Sequence, residues 1–317
     1  METAQTQSNE VCDQSHQTER IANMKQRIRY RHTNKIYIDL KQRGYTDDQG
    51  KIDIDDLLEL DQWHYNGTEP VEMAIDKLCI REGDKVLDVG SGIGGSSRFL
   101  ARATKCHVTA CELLPGNHDV GVDLTSRSGM DNSVTHVCGD ILTADLGEES
   151  FNSIISIQVF LHVNDKAALF KRCFDLLKPG GAMYIEDFYR TKDINREERE
   201  VLTEFLNSTD DMATMKETSG LLEDAGFTGI EMKELSSYSQ YTYRRWAEWK
   251  NNHDMYTQLS ARTTTRAGSD RPAPPSGCVT TSASWQGGTS WQGRPENRPR
   301  APMGNCPGPL KKDRLLW

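Results

Sequence analysis

Proline is scarce until late in this chain: eight of its eleven prolines fall in residues 263–317. Regular structure can therefore run through the first 262 residues with few interruptions of that kind. No apolar run reaches the roughly 18 residues of a spanning helix, so no membrane insertion is expected. Met1 to Arg20 is polar and lacks the apolar core of a secretory signal peptide. None of the eight cysteines (Cys12, Cys79, Cys106, Cys111, Cys138, Cys173, Cys278 and Cys306) stands in a C-x-x-C pair. They read as reduced apolar fillers in a cytoplasmic setting, with no metal site. Positive charge is short as well. With 38 Lys and Arg against 47 Asp and Glu, the net charge is −9. That offers no global attraction to nucleic acid or an anionic membrane, and no protein partner is implied. The 317 residues have room for one large domain plus appendages.

What is present is concentrated in Val86 to Leu100. An apolar run, Val86–Val89, is broken only by Asp88. It enters Gly90, Gly92, Gly94 and Gly95, then a helical pattern from Ser97 to Ala103. This reads as a buried strand, a glycine turn and a helix, the opening unit of an open α/β sheet. Glycine is needed where backbone turns sharply against a ligand. The turn lies at the carboxyl end of a strand, where such sheets bind ligands. Gly90, Gly92 and Gly95 fit the dinucleotide spacing G-x-G-x-x-G. Asp88 with Gly90, Gly92 and Gly94 fits D-x-G-x-G-x-G. A carboxylate beside the turn would repel a pyrophosphate but suits the ammonium end of an amino-acid cofactor.

The rest of the chain supplies the context. Residues 1–19 are polar and without period, and a helix is expected within Ile21–Arg43. A short helix is expected over Ile52–Leu60, and nothing before residue 60 carries a recognisable active group. Asp61-Gln-Trp-His-Tyr-Asn-Gly-Thr68 crowds two aromatics and a histidine ahead of a helix over Glu69–Cys79. Such a segment can fold over a cofactor, and aromatic faces attract a sulfonium cation. His107–Cys111 is a strand ending on Glu112, whose carboxylate can accept both hydrogen bonds of a ribose diol. A helix over 116–130 and a strand over Val134–Cys138 follow, then Gly139-Asp140-Ile141. Phe151–Val159 is a near-continuous apolar strand, covered on both faces. It leads to Gln158-Val-Phe-Leu-His162. A helix over Lys166–Leu177 is expected to stop at Lys178-Pro-Gly-Gly181, before a fifth strand over Ala182–Phe188. Helices over Glu197–Leu206, Thr214–Ala225 and Tyr243–Ala261, and a sixth strand over Gly229–Leu235, complete the pattern. Strands alternating with helices predict a doubly wound, mostly parallel α/β sheet.

Residues 263–317 differ. They repeat Ser-Trp-Gln-Gly at 284–287 and 290–293, with eight Lys or Arg against three Asp or Glu. No helix or strand pattern survives, and the segment reads as a disordered tail. Cys278–Trp285 is a poor candidate for a last, antiparallel strand. The tail reads either as a flexible extension or, the favoured reading, as the product of an altered reading frame or splice form that lost the last strand and left a sheet edge exposed.

The run Asp88-x-Gly-x-Gly-x-Gly94, Glu112, Asp140-Ile141, Leu177-x-Pro-Gly-Gly181 and the strand order together resemble class I S-adenosylmethionine-dependent methyltransferases over roughly residues 60–260. Tyr65-Asn-Gly-Thr-Glu69 and Phe160-Leu-His162 resemble the small-molecule N-methyltransferases of the phosphoethanolamine and sarcosine/dimethylglycine type. The resemblance implies a Rossmann-like fold with its last strand in question. Its parts would be a disordered stretch (1–19), a helical cap (20–82), the cofactor-binding domain (83–262) and the tail (263–317). It implies S-adenosyl-L-methionine as cofactor, held by Trp63, Asp88, Gly90, Ser91, Gly92, Gly94, Glu112, Leu113, Asp140, Ile141 and Gln158. It places His162 and Tyr65 at the reaction centre, with Tyr30 and Tyr37 as other candidates for the partnering tyrosine. Tyr189, Asp210 and Asp211 would face a small-molecule methyl acceptor.

Two departures matter. Gln158 stands where the phosphoethanolamine enzymes have an aspartate. Asn207-Ser-Thr-Asp-Asp-Met212 stands where they gather an arginine and tyrosines for phosphate. Two carboxylates there would repel phosphate and hold a cationic amine. The expected activity is therefore methylation of a small-molecule amine. Methylation of carbon, sulfur or oxygen on a small natural product is one alternative, and an inactive nucleoside-binding or regulatory protein is another.

Overall fold

The computed structural model describes residues 35–64, 66–196, 212–235, 278–280 and 314–316. The helices expected over Glu197–Leu206 and Tyr243–Ala261, residues 1–19, and Tyr30, Tyr65, Asp210 and Asp211 lie outside the described residues.

Among the described residues two cap helices come first, α1 (Lys35–Gln42) and α2 (Ile54–Leu58), followed by α3 (Glu69–Leu78). An alternating series comes next: β1 (Lys85–Val89), α4 (Gly95–Thr104), β2 (His107–Glu112), α5 (Pro115–Arg127), β3 (Val134–Cys138) and β4 (Phe151–Ile157). A 3-10 turn at Phe160–His162 leads to α6 (Lys166–Leu176), β5 (Leu177–Glu186), β6 (Phe188–Arg190) and α7 (Met215–Ala225). Two short strands, β7 (Cys278–Thr280) and β8 (Arg314–Leu316), complete the described elements.

The main sheet has the order β3-β2-β1-β4-β5-β8, and every pair in it is parallel. The chain reverses its direction of travel between β1 and β4, so a crevice opens there above the strand ends. Side chains alternate across the sheet and divide the core in two. On one face Leu87, Val89, Ile154, Met183 and Ile185 pack with Phe170 and Leu176 of α6 and Leu222 of α7. On the other, Val86, Val108, Ala110, Ile155 and Tyr184 pack with Val71 of α3 and Leu100 of α4. Burial on both faces is why the central strands read as apolar runs rather than as alternating patterns. A third cluster joins Ile36, Leu40 and Leu57 of the cap to Leu124 of α5 and to Ile93 of the glycine turn.

Several expected boundaries move. β4 ends at Ile157 because Gln158 turns the backbone to φ 58. The helix stops at Leu176 as expected, and Lys178-Pro-Gly-Gly181 falls inside β5, which begins at Leu177 directly after α6. Its pairing with β4 jumps from Phe151↔Leu177 to Ser153↔Ala182, so this segment is a bulge. A Cβ on Gly181 would lie 3.0 Å from the carbonyls of Asn152 and Lys178. The sixth strand is not formed: Gly229–Leu235 holds only a bridge at Glu231, after Gly229 at φ 62. Nor is 263–317 free of strands. β8 takes the edge beside β5, and Cys278–Thr280 pairs antiparallel with β6 in a separate sheet. Three-residue strands are too short to leave a readable period.

Candidate functional site

A cavity of about 290 Å³ sits over the carboxyl ends of β1, β2 and β4. Its wall includes Trp63, Asp88, Gly90, Ser91, Gly92, Glu112, Leu113, Asp140, Ile141, Gln158 and His162. These residues come from five separated stretches of chain, which the sheet order brings to one crevice.

The glycine turn forms the floor. Gly90 and Gly92 hold φ of +73 and +57, values that side chains resist. A Cβ on Gly90 would also overlap Val159, at 2.3 Å from its Cγ1, whereas one on Gly92 would meet no atom within 4 Å. Gly90 therefore serves the packing of the turn against the β4 exit, and Gly92 leaves its side open. Gly94 is not in the cavity wall. It caps α4 at φ +82, and a Cβ there would sit 2.9 Å from Arg98 and His136. Gly95 faces the protein's own backbone, with the Asp61 carbonyl 2.2 Å from its would-be Cβ.

Four carboxylate side chains line the cavity: Asp61, Asp88, Glu112 and Asp140. Asp88 is 3% exposed and accepts a 2.6 Å hydrogen bond from Ser97 Oγ. Burial raises its pKa to about 6, against the opposing pull of that bond. Glu112 accepts the Gly92 N–H on Oε2 and the Leu114 N–H on Oε1, both at 2.9 Å, which ties the end of β2 to the turn. Burial lifts it to about 7, with a smaller push from Asp88. Asp140 accepts the Leu142 N–H at 3.1 Å, and Ile141 supplies the adjoining apolar surface. Ser91 Oγ and Gln158 Nε2 are buried with no hydrogen-bond partner among the described residues. Gln158 is also held in the left-handed region, a strain that concentrates at ligand sites.

The aromatic segment is anchored over this floor. Trp63 is 37% exposed, and His64 Nε2 lies 2.9 Å from Ser96 Oγ. Its anchor was not legible in the sequence. Arg98 is fully buried and pairs with Asp61 Oδ2 through Nε at 3.1 Å and Nη2 at 2.9 Å. The same guanidinium donates to the carbonyls of Ile93 and Gly121 and to Thr125 Oγ1. The available signal was a cation in the first turn of the helix after Gly95, one turn ahead of the exposed Arg102. Asp187, also missed, is considered below.

Other expected site residues lie elsewhere. Tyr37 donates to Asp123 of α5 at 2.8 Å and is not in the cavity wall, so it does not partner His162. Tyr189 sits in β6, buried and opposite Val279, and does not line the cavity.

Comparison with known proteins agrees with this geometry. Residues 86–181 match the family described as a methyltransferase domain. Phosphoethanolamine N-methyltransferase 1 of Triticum aestivum is 31% identical over 192 residues, covering 60% of this chain and 38% of that protein. Its Arabidopsis thaliana namesake is 32% identical over 180 residues, covering 56% and 36%. The chain thus spans well under half the length of these curated relatives. Among solved structures, Haemonchus contortus phosphoethanolamine N-methyltransferase 2, in complex with phosphomonomethylethanolamine and S-adenosylhomocysteine, superposes with a TM-score of 0.55. It is 19% identical, with 72% of this chain and 52% of that chain covered. The sheet order and this superposition give the chain a Rossmann-like fold similar to that of class I methyltransferases, with a methyltransferase-domain match over residues 86–181.

Proposed function

We propose that this protein uses S-adenosyl-L-methionine to methylate a small-molecule amine. The observation that carries the reading is the single crevice at the β1/β4 reversal, where Asp88, the Gly90–Gly92 turn, Glu112, Asp140-Ile141 and His162 meet. The donor set fits the cofactor. Glu112 keeps lone pairs for a ribose diol, and Asp140 with Ile141 offers an acceptor beside an apolar face for a purine. The unpartnered Ser91 Oγ and Gln158 Nε2 supply polar contacts. When bound, S-adenosylmethionine supplies a methyl group already activated by its sulfonium.

The chain's own task is alignment and proton handling. An amine attacks only when neutral, and an imidazole is suited to hold the departing proton. In this reading His162 accepts that proton, and Trp63 closes over the cofactor. The Triticum aestivum and Arabidopsis thaliana relatives support an amine acceptor. Gln158 argues against phosphoethanolamine itself, because an amide replaces the acid expected there. The free cysteines among the described residues fit a cytoplasmic setting.

Calorimetry with S-adenosylmethionine and S-adenosylhomocysteine tests the cofactor site, and a labelled-methyl assay over a panel of amines tests the reaction. His162→Ala should lower kcat by about 100-fold. Unchanged turnover across pH 6–9 at saturating amine would remove His162 from the chemistry.

A further inference from the structure

The end of β5 carries two acids, Glu186 and Asp187, that are 0% and 2% exposed. They sit beside the exit of β4, the segment that forms one wall of the cavity through Gln158, Val159, His162 and Val163. The Gln158 N–H donates to the Glu186 carbonyl at 2.7 Å. Three residues on, the Leu161 N–H donates to Asp187 Oδ2 at 3.0 Å. Asp187 Oδ1 accepts the Phe188 N–H at 2.7 Å, which fixes the carboxylate's own orientation.

The opposite ends of the same backbone groups are also held. Lys166 Nζ, from the first turn of α6, donates to the Phe160 carbonyl at 3.3 Å and the Val163 carbonyl at 3.0 Å. Within the turn, the His162 N–H reaches the Val159 carbonyl at 2.9 Å and the Val163 N–H reaches the Phe160 carbonyl at 3.0 Å. A 3-10 turn of three residues makes too few internal bonds to hold one geometry. An acid takes the Leu161 N–H and a cation takes two carbonyls, so the turn is clamped from both polarities. His162 rides on that clamp.

We propose that Asp187 is a positioning residue, fixing the 158–163 turn so that the His162 ring faces the methyl acceptor, with Lys166 completing the grip. The proposal rests on the methyltransferase reading for its catalytic consequence, but not for its structural one. Asparagine at 187 has one acceptor oxygen for these two donors, so its amide N–H would face either the Leu161 N–H or the Phe188 N–H and the grip on the turn would be lost or misaligned. The turn would then sample other arrangements while the glycine floor, Glu112 and Asp140 stay in place.

The full chain and its Asp187→Asn, His162→Ala and double variants test this. In Asp187→Asn, kcat should fall at least tenfold, while S-adenosylhomocysteine binds at full stoichiometry with Kd changed less than twofold. In the His162→Ala background the same substitution should have little further effect on kcat, because it acts through that ring. Independently of activity, histidine ring carbon NMR should show the His162 signal, identified by its loss in His162→Ala, shifting or splitting in Asp187→Asn. The signals of the other histidines should stay put. If Asp187→Asn does not fold, Lys166→Met carries the same expectations from the other side of the turn. An unmoved His162 signal, undiminished kcat, or an equal loss in the His162→Ala background would overturn the proposal. A wild-type protein that neither binds the cofactor nor transfers methyl groups would overturn the functional reading instead, and the NMR comparison would still decide the role of Asp187.

Discussion

Glu112 ends β2 with both carboxylate oxygens accepting backbone N–H groups, and burial still lifts it to about 7. The consequence is a pH-dependent grip on ligand. Ribose hydroxyls and a cationic cofactor both favour the ionised carboxylate, whereas the free protein at pH 6 holds most of it protonated. Affinity for S-adenosylmethionine should therefore rise as pH increases through about 7, by about tenfold between pH 6 and 8, with proton release on binding. Calorimetry in buffers of different ionisation enthalpy measures both. Glu112→Gln should bind more weakly at pH 8 and lose most of the pH dependence. Persistence of the full dependence would place the titrating group elsewhere, Asp88 at about 6 being next. Spacing made Glu112 legible: it follows Gly94 at the end of the next strand. Its perturbed acidity was not legible, because that depends on how completely the turn, Leu114 and Asn117 close around it.

At the scale of elements, the site depends on one buried ion pair. Arg98 on α4 places donors on the cap segment at Asp61, on the glycine turn at Ile93, and on α5 at Gly121 and Thr125. Removing one partner strands a charge in a dry interior. Asp61→Asn should cost about 3–5 kcal/mol in denaturant unfolding. The exposed pair of Arg43 and Glu59 is more modest, and Arg43→Ala should cost under about 1 kcal/mol. Equal effects for the two variants would refute the anchoring role. Gly95→Ala should also weaken cofactor affinity, because the new methyl would push Asp61, and with it Trp63, off the floor. In the sequence, Gly95 fitted the dinucleotide spacing as well as Gly94 fitted the other. The structure separates their duties: Gly95 admits the cap segment, and Gly94 starts the helix over Arg98 and His136. Neither duty shows in a spacing rule, since both depend on what lies across the gap.

For the whole molecule, ligand binding and stability are one measurement. The crevice joins the two halves of the main sheet at the β1/β4 reversal, and the cap packs on the same turn through Ile93. A ligand at a concentration of 100 Kd should add about 2.7 kcal/mol to stability. That corresponds to roughly 5–11 °C in the unfolding midpoint for a domain of about this size. The shift should be larger at pH 8 than at pH 6, following Glu112. Hydrogen exchange should slow around 88–95, 111–114 and 158–163 on adding S-adenosylhomocysteine. Protection confined to other stretches would move the ligand out of this crevice.

The amino-acid sequence by itself determined the alternation of strands and helices, the glycine turn, and the acids at the ends of β1, β2 and β3. These follow from local periodicity, backbone conformational freedom and spacing along a single strand–turn–helix unit. Only the tertiary structure decided that β4 stops at Gln158, that the fifth strand begins in a bulge, and that no strand forms over Gly229–Leu235. It alone brought Asp61 to Arg98 and Asp187 to the His162 turn. Buried polar pairing is a property of groups distant in the chain and adjacent in space. Each partner alone looks like an ordinary surface charge until the fold removes the water around it.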